Sequence, residues 1–264
     1  MSRLPSLLAA GALALAVAGC AASPSGGAAG PVSSGVTGTS RPTPTAGTAF
    51  DLALTPAVRS IVLTDQAGHH LTLGSLAGTD LVIADFMTDC QEICPMTSVN
   101  MRDAAAAAQR AGLGSSRVRF LEITIDPQRD TVAKLAAYRR LFDAPAGWDL
   151  LTGSPADIAA LWASLGVAVQ KVPEGSPPAK DWLTGRPLTY DIDHQDVVIV
   201  VDGHGHERWL EEGTPDTAGA QPPATLRRFL SAEGRANLAS PQGATWTVGD
   251  VDGALTWLTG THVG

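Results

Sequence analysis

Apolar and polar residues alternate through "VRSIVLTDQAGHHLTLGSL", residues 58–76, on both sides of the turn "DQAG". That period of two predicts a β-hairpin with Gly68 in its turn. "DLVIADFM", residues 80–87, is instead a continuous run of strand length, the pattern of a central strand buried on both faces. "TSVNMRDAAAAAQRAG" then predicts an Ala-rich helix closed by Gly112. "RVRFLEITIDP" is the next strand, stopped by Pro127. "RDTVAKLAAYRRLF" sets Val132, Leu135, Tyr138 and Phe142 on one helical face, with Asp130 near its start. "GSPADIAALWASLG" repeats the helical spacing at Ile158, Leu161, Trp162 and Leu165. Residues 168–190, with Pro173, Pro177 and Pro178, predict a long loop. "DVVIVVDGHGHERWLE" reads as strand, Gly-rich turn and strand. Residues 212–245 look irregular apart from a short helix near "PATLRRFL", and "VGDVDGALTWLTG" closes the chain as a helix. The order predicts an α/β thioredoxin-like sandwich with an N-terminal β-hairpin and a C-terminal insertion before the last helix.

The pattern before residue 50 is different. Arg3 precedes a short apolar run, Leu4 to Val17, too short to span a bilayer comfortably, which predicts a secretory signal over residues 1–19. It ends in Val17-Ala18-Gly19-Cys20, which resembles the lipobox of bacterial lipoproteins. That resemblance implies cleavage before Cys20, lipidation of its thiol, and a chain anchored by lipid to the extracytoplasmic face of the cell membrane. Residues 20–49 are rich in Gly, Ser, Thr, Pro and Ala, with Arg41 as their one charge. Such a segment buries too little apolar surface to offset its ordering entropy, and reads as a flexible linker of roughly 30 Å typical span. Residues 50–264 remain as one domain with a real core. Formal net charge is −8 and no Lys/Arg run occurs, so nucleic acid is excluded as a partner class.

Of three cysteines, only Cys90 and Cys94 are left for chemistry once Cys20 is set aside. They lie in "CQEICP", between the first central strand and its following helix. A helix N-terminus stabilises thiolate, and thiolate serves disulfide exchange and metal binding equally. Two cysteines outside the cytoplasm also suit a plain structural disulfide. If they bind a metal, two thiolates favour Cu(I) and require a third donor. Among the six histidines, His69, His70, His204 and His206 belong to turns and His262 to the C-terminal tail. His194 differs, standing just before a core strand in "TYDIDHQDVVIVVD", with Asp191, Asp193 and Asp196 close enough in sequence to orient its ring. Spacing alone favours a structural imidazole there.

Four landmarks in order resemble the Sco/SenC family of thioredoxin-fold copper proteins: "CQEICP", "DPQRDT" at 126–131, "LTG" at 151–153 as a turn before a helix, and "IDH" at 192–194. The resemblance covers about residues 58–210. It implies one copper ion, Cu(I) or Cu(II), held by Cys90, Cys94 and His194. It also implies delivery to the binuclear copper site of cytochrome c oxidase subunit II, with a thiol reductant or upstream copper donor as a further partner. The family pattern carries Pro-Asp-Val between the cysteines, where this chain has Gln91-Glu92-Ile93. Asp126, Arg129 and Asp130 match the family, and turn formation and helix capping account for them. The alternative is a thiol–disulfide oxidoreductase using Cys90 and Cys94 as its redox pair on the same oxidase cysteines or other extracytoplasmic proteins. That reading makes the chain an enzyme and His194 dispensable; a metallochaperone is not an enzyme.

Overall fold

The computed structural model describes residues 43–264. The signal segment, Cys20 and most of the linker lie outside the described residues. β1 (Thr48–Ala53) is followed by a short helix α1 (Pro56–Arg59), capped by the Thr55 hydroxyl. β2 (Leu63–Asp65) and β3 (His70–Leu71) form the N-terminal hairpin, with Gly68 at a positive φ of 88° in the turn. β4 (Asp80–Phe86) leads through the cysteine loop into α2 (Cys94–Arg110). β5 (Val118–Thr124), α3 (Val132–Arg139), β6 (Trp148–Gly153) and α4 (Pro155–Ser164) complete the parallel half. β7 (Val169–Val172) and β8 (Asp191–His194) pair antiparallel as a hairpin of their own. β9 (Val197–Val201) and β10 (His206–Glu212) follow. The insertion holds β11 (Thr214–Pro215), α5 (Ala224–Arg227), α6 (Ala232–Ala239) and β12 (Thr245–Trp246), and α7 (Val248–Thr259) ends the fold.

Among the described residues, eight strands form one sheet in the order β1-β10-β9-β4-β5-β6-β2-β3. At its centre β10-β9-β4-β5 has the thioredoxin order: β4 and β5 run parallel, and β9 and β10 run antiparallel beside them. Every residue of β4 from Leu81 to Phe86 is buried, as its unbroken apolar run predicts for a strand covered on both faces. Leu135, Tyr138 and Phe142 enter the core from α3 and the turn after it, and Ile158, Leu161, Trp162 and Leu165 enter from α4. Each was legible from helical spacing.

Four expectations are corrected. Thr48 and Ala49, assigned to the linker, belong to β1, which pairs with β10; Trp209 Nε1 also donates to the Ala46 carbonyl at 2.8 Å. The domain therefore starts before residue 50, because β10 offers an edge for the chain to pair with. "LTG" at 151–153 is the end of β6, which pairs with β5 and β2. Residues 168–190 are a loop only between β7 and β8. Residues 212–245 form a closed insertion: β11 and β12 pair parallel, so the chain leaves and returns side by side. Gly213, at φ 141°, allows that approach, since a Cβ there would stand 2.4 Å from the Ala244 carbonyl oxygen.

Candidate metal centre

Cys90 and Cys94 sit where the sequence puts them, between β4 and α2, with both thiols buried and free. Cys90 precedes the helix, so their spacing is that of a loop and not of one helical face. The N-cap position, Ile93, contributes no side-chain cap. The Cys94 N–H donates to Cys90 Sγ at 3.3 Å instead, so the sulfur takes up one of the helix's unpaired donors. Hydrogen bonding from the Cys94 thiol lowers the Cys90 pKa against the opposing effect of burial, and the His194 charge helps. Burial pushes Cys94 well up. Cys90 is thus the readier thiolate of the pair.

The loop is clamped from several elements. Asp130 accepts from the Thr88 amide at 3.1 Å, the Thr88 hydroxyl at 2.5 Å and the Thr124 hydroxyl at 2.6 Å, tying the ends of β4 and β5. Lys134 reaches Asp89 at 2.5 Å and Asp181 at 2.8 Å. Gln91 Nε2 donates to the Lys180 carbonyl at 2.8 Å. The capping role expected of Asp130 belongs to Thr131, whose hydroxyl accepts from Lys134 N at the start of α3. Asp126 does form the expected turn, through its carbonyl. Its carboxylate also pairs with Arg129 and accepts from the Tyr190 hydroxyl at 2.8 Å, while Arg129 Nη1 donates to the Tyr190 carbonyl. This triad holds the strand that carries His194.

His194 is the last residue of β8, with its side chain 5% exposed. Its Nδ1 stands 2.6 Å from Asp85 Oδ2 and 2.9 Å from the Gln195 carbonyl oxygen. Two acceptors at one nitrogen require a proton there, which leaves Nε2 as the nitrogen a metal would bind, in exchange for its own proton. Asp85 is itself fixed, since Oδ1 accepts from Val197 N at 2.9 Å. Burial pulls the imidazole pKa down, but the hydrogen bond and charge of Asp85 outweigh it and hold His194 at about 10.

The sequence assigned the orienting role to Asp191, Asp193 or Asp196; Asp85 performs it. Asp196 is buried beside the site, where its charge acts on Cys94 and His194, but its carboxylate lies against the Thr97 hydroxyl at 3.4 Å and Trp246 Nε1 at 3.5 Å and not against the imidazole. The one available signal for Asp85 was its charge inside an otherwise apolar strand.

Cys90 and His194 wall one pocket of about 560 Å³, together with Glu92, Asp191, Asp193, Glu233 and Asn237. Among the described residues, no three His, Cys, Asp or Glu side chains already form a closed metal cluster. The structure thus brings the two sulfurs together and sets the imidazole on the same pocket as Cys90. The donor chemistry, two soft thiols and a ring nitrogen, fits copper. His69, His70, His204 and His206 stay apart from this pocket; His69 pairs with Asp65 and His206 with Asp51. Among the described residues, no helix is long and apolar enough to cross a membrane.

A family model described as SCO1/SenC matches residues 53–218. The SCO1 protein homolog of Bacillus subtilis is 32% identical over 124 residues, which cover 45% of this chain and 61% of that relative, under two thirds of its length. The structure of Bradyrhizobium japonicum ScoI with copper bound is 28% identical, covering 70% of this chain and 99% of that one, with a TM-score of 0.46. The structure of BsSco, described as a member of the Sco family of cytochrome c oxidase assembly proteins with a disulfide switch, is 21% identical, covering 64% and 86%, with a TM-score of 0.43.

Proposed function

Because the chain belongs to the SCO1/SenC family, we propose that it binds one copper ion through Cys90, Cys94 and His194. Copper is its cargo, delivered to the binuclear copper site of cytochrome c oxidase subunit II. The observation that carries the reading is the pocket shared by Cys90 and His194, with Cys94 hydrogen-bonded beneath. Asp85 keeps the proton on Nδ1 and leaves Nε2 for the ion. A site with three protein donors leaves room for an incoming ligand from the partner, so the ion can be handed over by ligand exchange. Anchoring by lipid on Cys20 belongs to the same proposal and is supported by the Val17-Ala18-Gly19-Cys20 sequence.

A second reading rests on the hydrogen bond to Cys90 Sγ, which favours thiolate. Cys90 would attack a partner disulfide, forming a mixed disulfide and releasing one partner thiol. Cys94, losing its proton, would then attack Cys90 and release the second. Two electrons pass to the partner, and Cys90 and Cys94 end as a disulfide. The two readings exclude each other in time, since the disulfide has no thiolate to offer copper.

Titration of the reduced full chain with Cu(I), and with Cu(II) followed optically, decides between them. One equivalent binds, with sulfur-to-copper charge-transfer absorption in the Cu(II) form; Cys90→Ser and Cys94→Ser each lose that band. Stoichiometric binding that survives both substitutions would place copper elsewhere.

A further inference from the structure

Residues 219–264 lie beyond the SCO1/SenC match, yet part of them reaches the cysteine loop. The Ser231 amide donates to the Gln91 carbonyl at 2.9 Å. Three residues on, Gly234 is buried against the same backbone: a Cβ there would stand 2.0 Å from Gln91 O and 3.0 Å from Glu92 Cα. Glycine is a poor residue for a helix interior, and Gly234 has no positive φ to require it. Close approach is the reason left. The Ser231 hydroxyl accepts from Gly234 N at 3.0 Å to cap α6, and Glu233, Asn237 and Gln242 form the pocket wall around Cys90 and His194. Asn100 of α2 steadies the insertion by donating to the Asp216 carbonyl at 3.2 Å.

We propose that α6 is a positioning element for the metal loop. Gln91, Glu92 and Ile93 include no proline, so nothing in their own covalent structure stiffens the backbone between the cysteines. The loop is stiffened from outside: Ser231 holds the Gln91 carbonyl, Lys180 holds its side chain, and Gly234 lets α6 press on the peptide between. Fixing that peptide fixes the separation of the two sulfurs. The proposal deepens the copper reading and rests on Cys90 and Cys94 acting as a pair.

The test is Gly234→Ala in the full chain, read in two ways. The first is the dithiol–disulfide equilibrium of Cys90 and Cys94 against a dithiothreitol buffer. There the S–S bond forms as the two thiols give two electrons and two protons to oxidised dithiothreitol, whose own S–S bond breaks. The second is Cu(I) affinity by competition with a chelator. We expect a shift of about tenfold in both, the scale of outer partners of a metal ligand, with an unchanged circular dichroism spectrum. A folded variant with wild-type values in both overturns the proposal. Should the variant not fold, hydrogen exchange of wild-type residues 231–239 replaces it. Their protection must differ between the dithiol and disulfide forms, and identical exchange overturns the proposal equally. A wild-type chain that takes no copper ends the copper reading, and the dithiol equilibrium still judges α6.

Discussion

His194→Ala loses copper affinity by more than the roughly 10- to 100-fold carried by outer partners of a metal ligand, and still forms the Cys90–Cys94 disulfide. The imidazole is the one ring nitrogen donor on the pocket that Cys90 also lines, and Asp85 has already oriented it. Removing the ring also strands a buried carboxylate. Asp85 keeps only the Val197 N–H, and breaking a buried pair costs about 3–5 kcal/mol. The clean comparison is therefore the double variant Asp85→Asn/His194→Ala, which removes the stranded charge with the ring, assayed below its unfolding transition. Asp85→Asn alone removes the charge and leaves one carboxamide oxygen for two donors, His194 Nδ1–H and Val197 N–H, and falls between wild type and the loss of His194. Chelator competition measures all of these. Wild-type affinity in the double variant removes His194 from the site.

The second large effect concerns pH. Glu122, in the middle of β5, is fully buried, with the Ser98 hydroxyl 2.8 Å from one oxygen and Trp148 Nε1 2.9 Å from the other. Burial raises its pKa from 4.5 to about 8, and both hydrogen bonds oppose the rise without overcoming it. A carboxyl raised on folding binds more protons folded than unfolded between those values, so stability falls as pH rises. Glu122 alone removes roughly 3–4 kcal/mol between pH 5 and 8. Asp130 and Asp252, each raised by burial to about 6, tilt the curve the same way. So does His194, whose contribution is complete below 6.5 and fades as pH climbs toward 10. The difference between wild type and Glu122→Gln isolates the one group. Indole N–H can only donate, so the neutral acid accepts from Trp148 and donates to Ser98; an amide does both at every pH. Urea unfolding across this range shows Glu122→Gln with a flatter curve and a gain of several kcal/mol at pH 8. Equal slopes for the two chains mean that Glu122 is already ionised in the folded state.

Much of the fold was legible because its signals are local. The unbroken apolar run of β4 and the spacing of Ile158, Leu161 and Trp162 follow from burial along a single element. β6 was hidden because "WDLLTG" is short and ends against a helix cap; only pairing with β5 and β2 makes it a strand. The insertion was illegible for a similar reason. Gly234 in α6 is explained by the Gln91 carbonyl, more than a hundred residues earlier, and no periodicity encodes that contact.

The site divides in the same way. Cys90 and Cys94 could be read from their junction of strand and helix. His194 needed a family resemblance, since its special position depends on the last residue of β8 meeting Asp85 of β4. Asp85 was visible as a charge in an apolar strand, but its partner was not, because Asp191, Asp193 and Asp196 offered nearer candidates in sequence. Asp85 pairs with His194 across 109 positions. The Lys134 clamp on Asp89 is likewise a contact between elements, absent from either segment read alone.

X-ray absorption at the copper edge of the reduced, copper-loaded full chain tests the central claim most directly. The expected first shell is two sulfur atoms and one imidazole nitrogen, with the nitrogen lost in Asp85→Asn/His194→Ala. A shell of sulfur alone, or a spectrum that the double variant leaves unchanged, contradicts it.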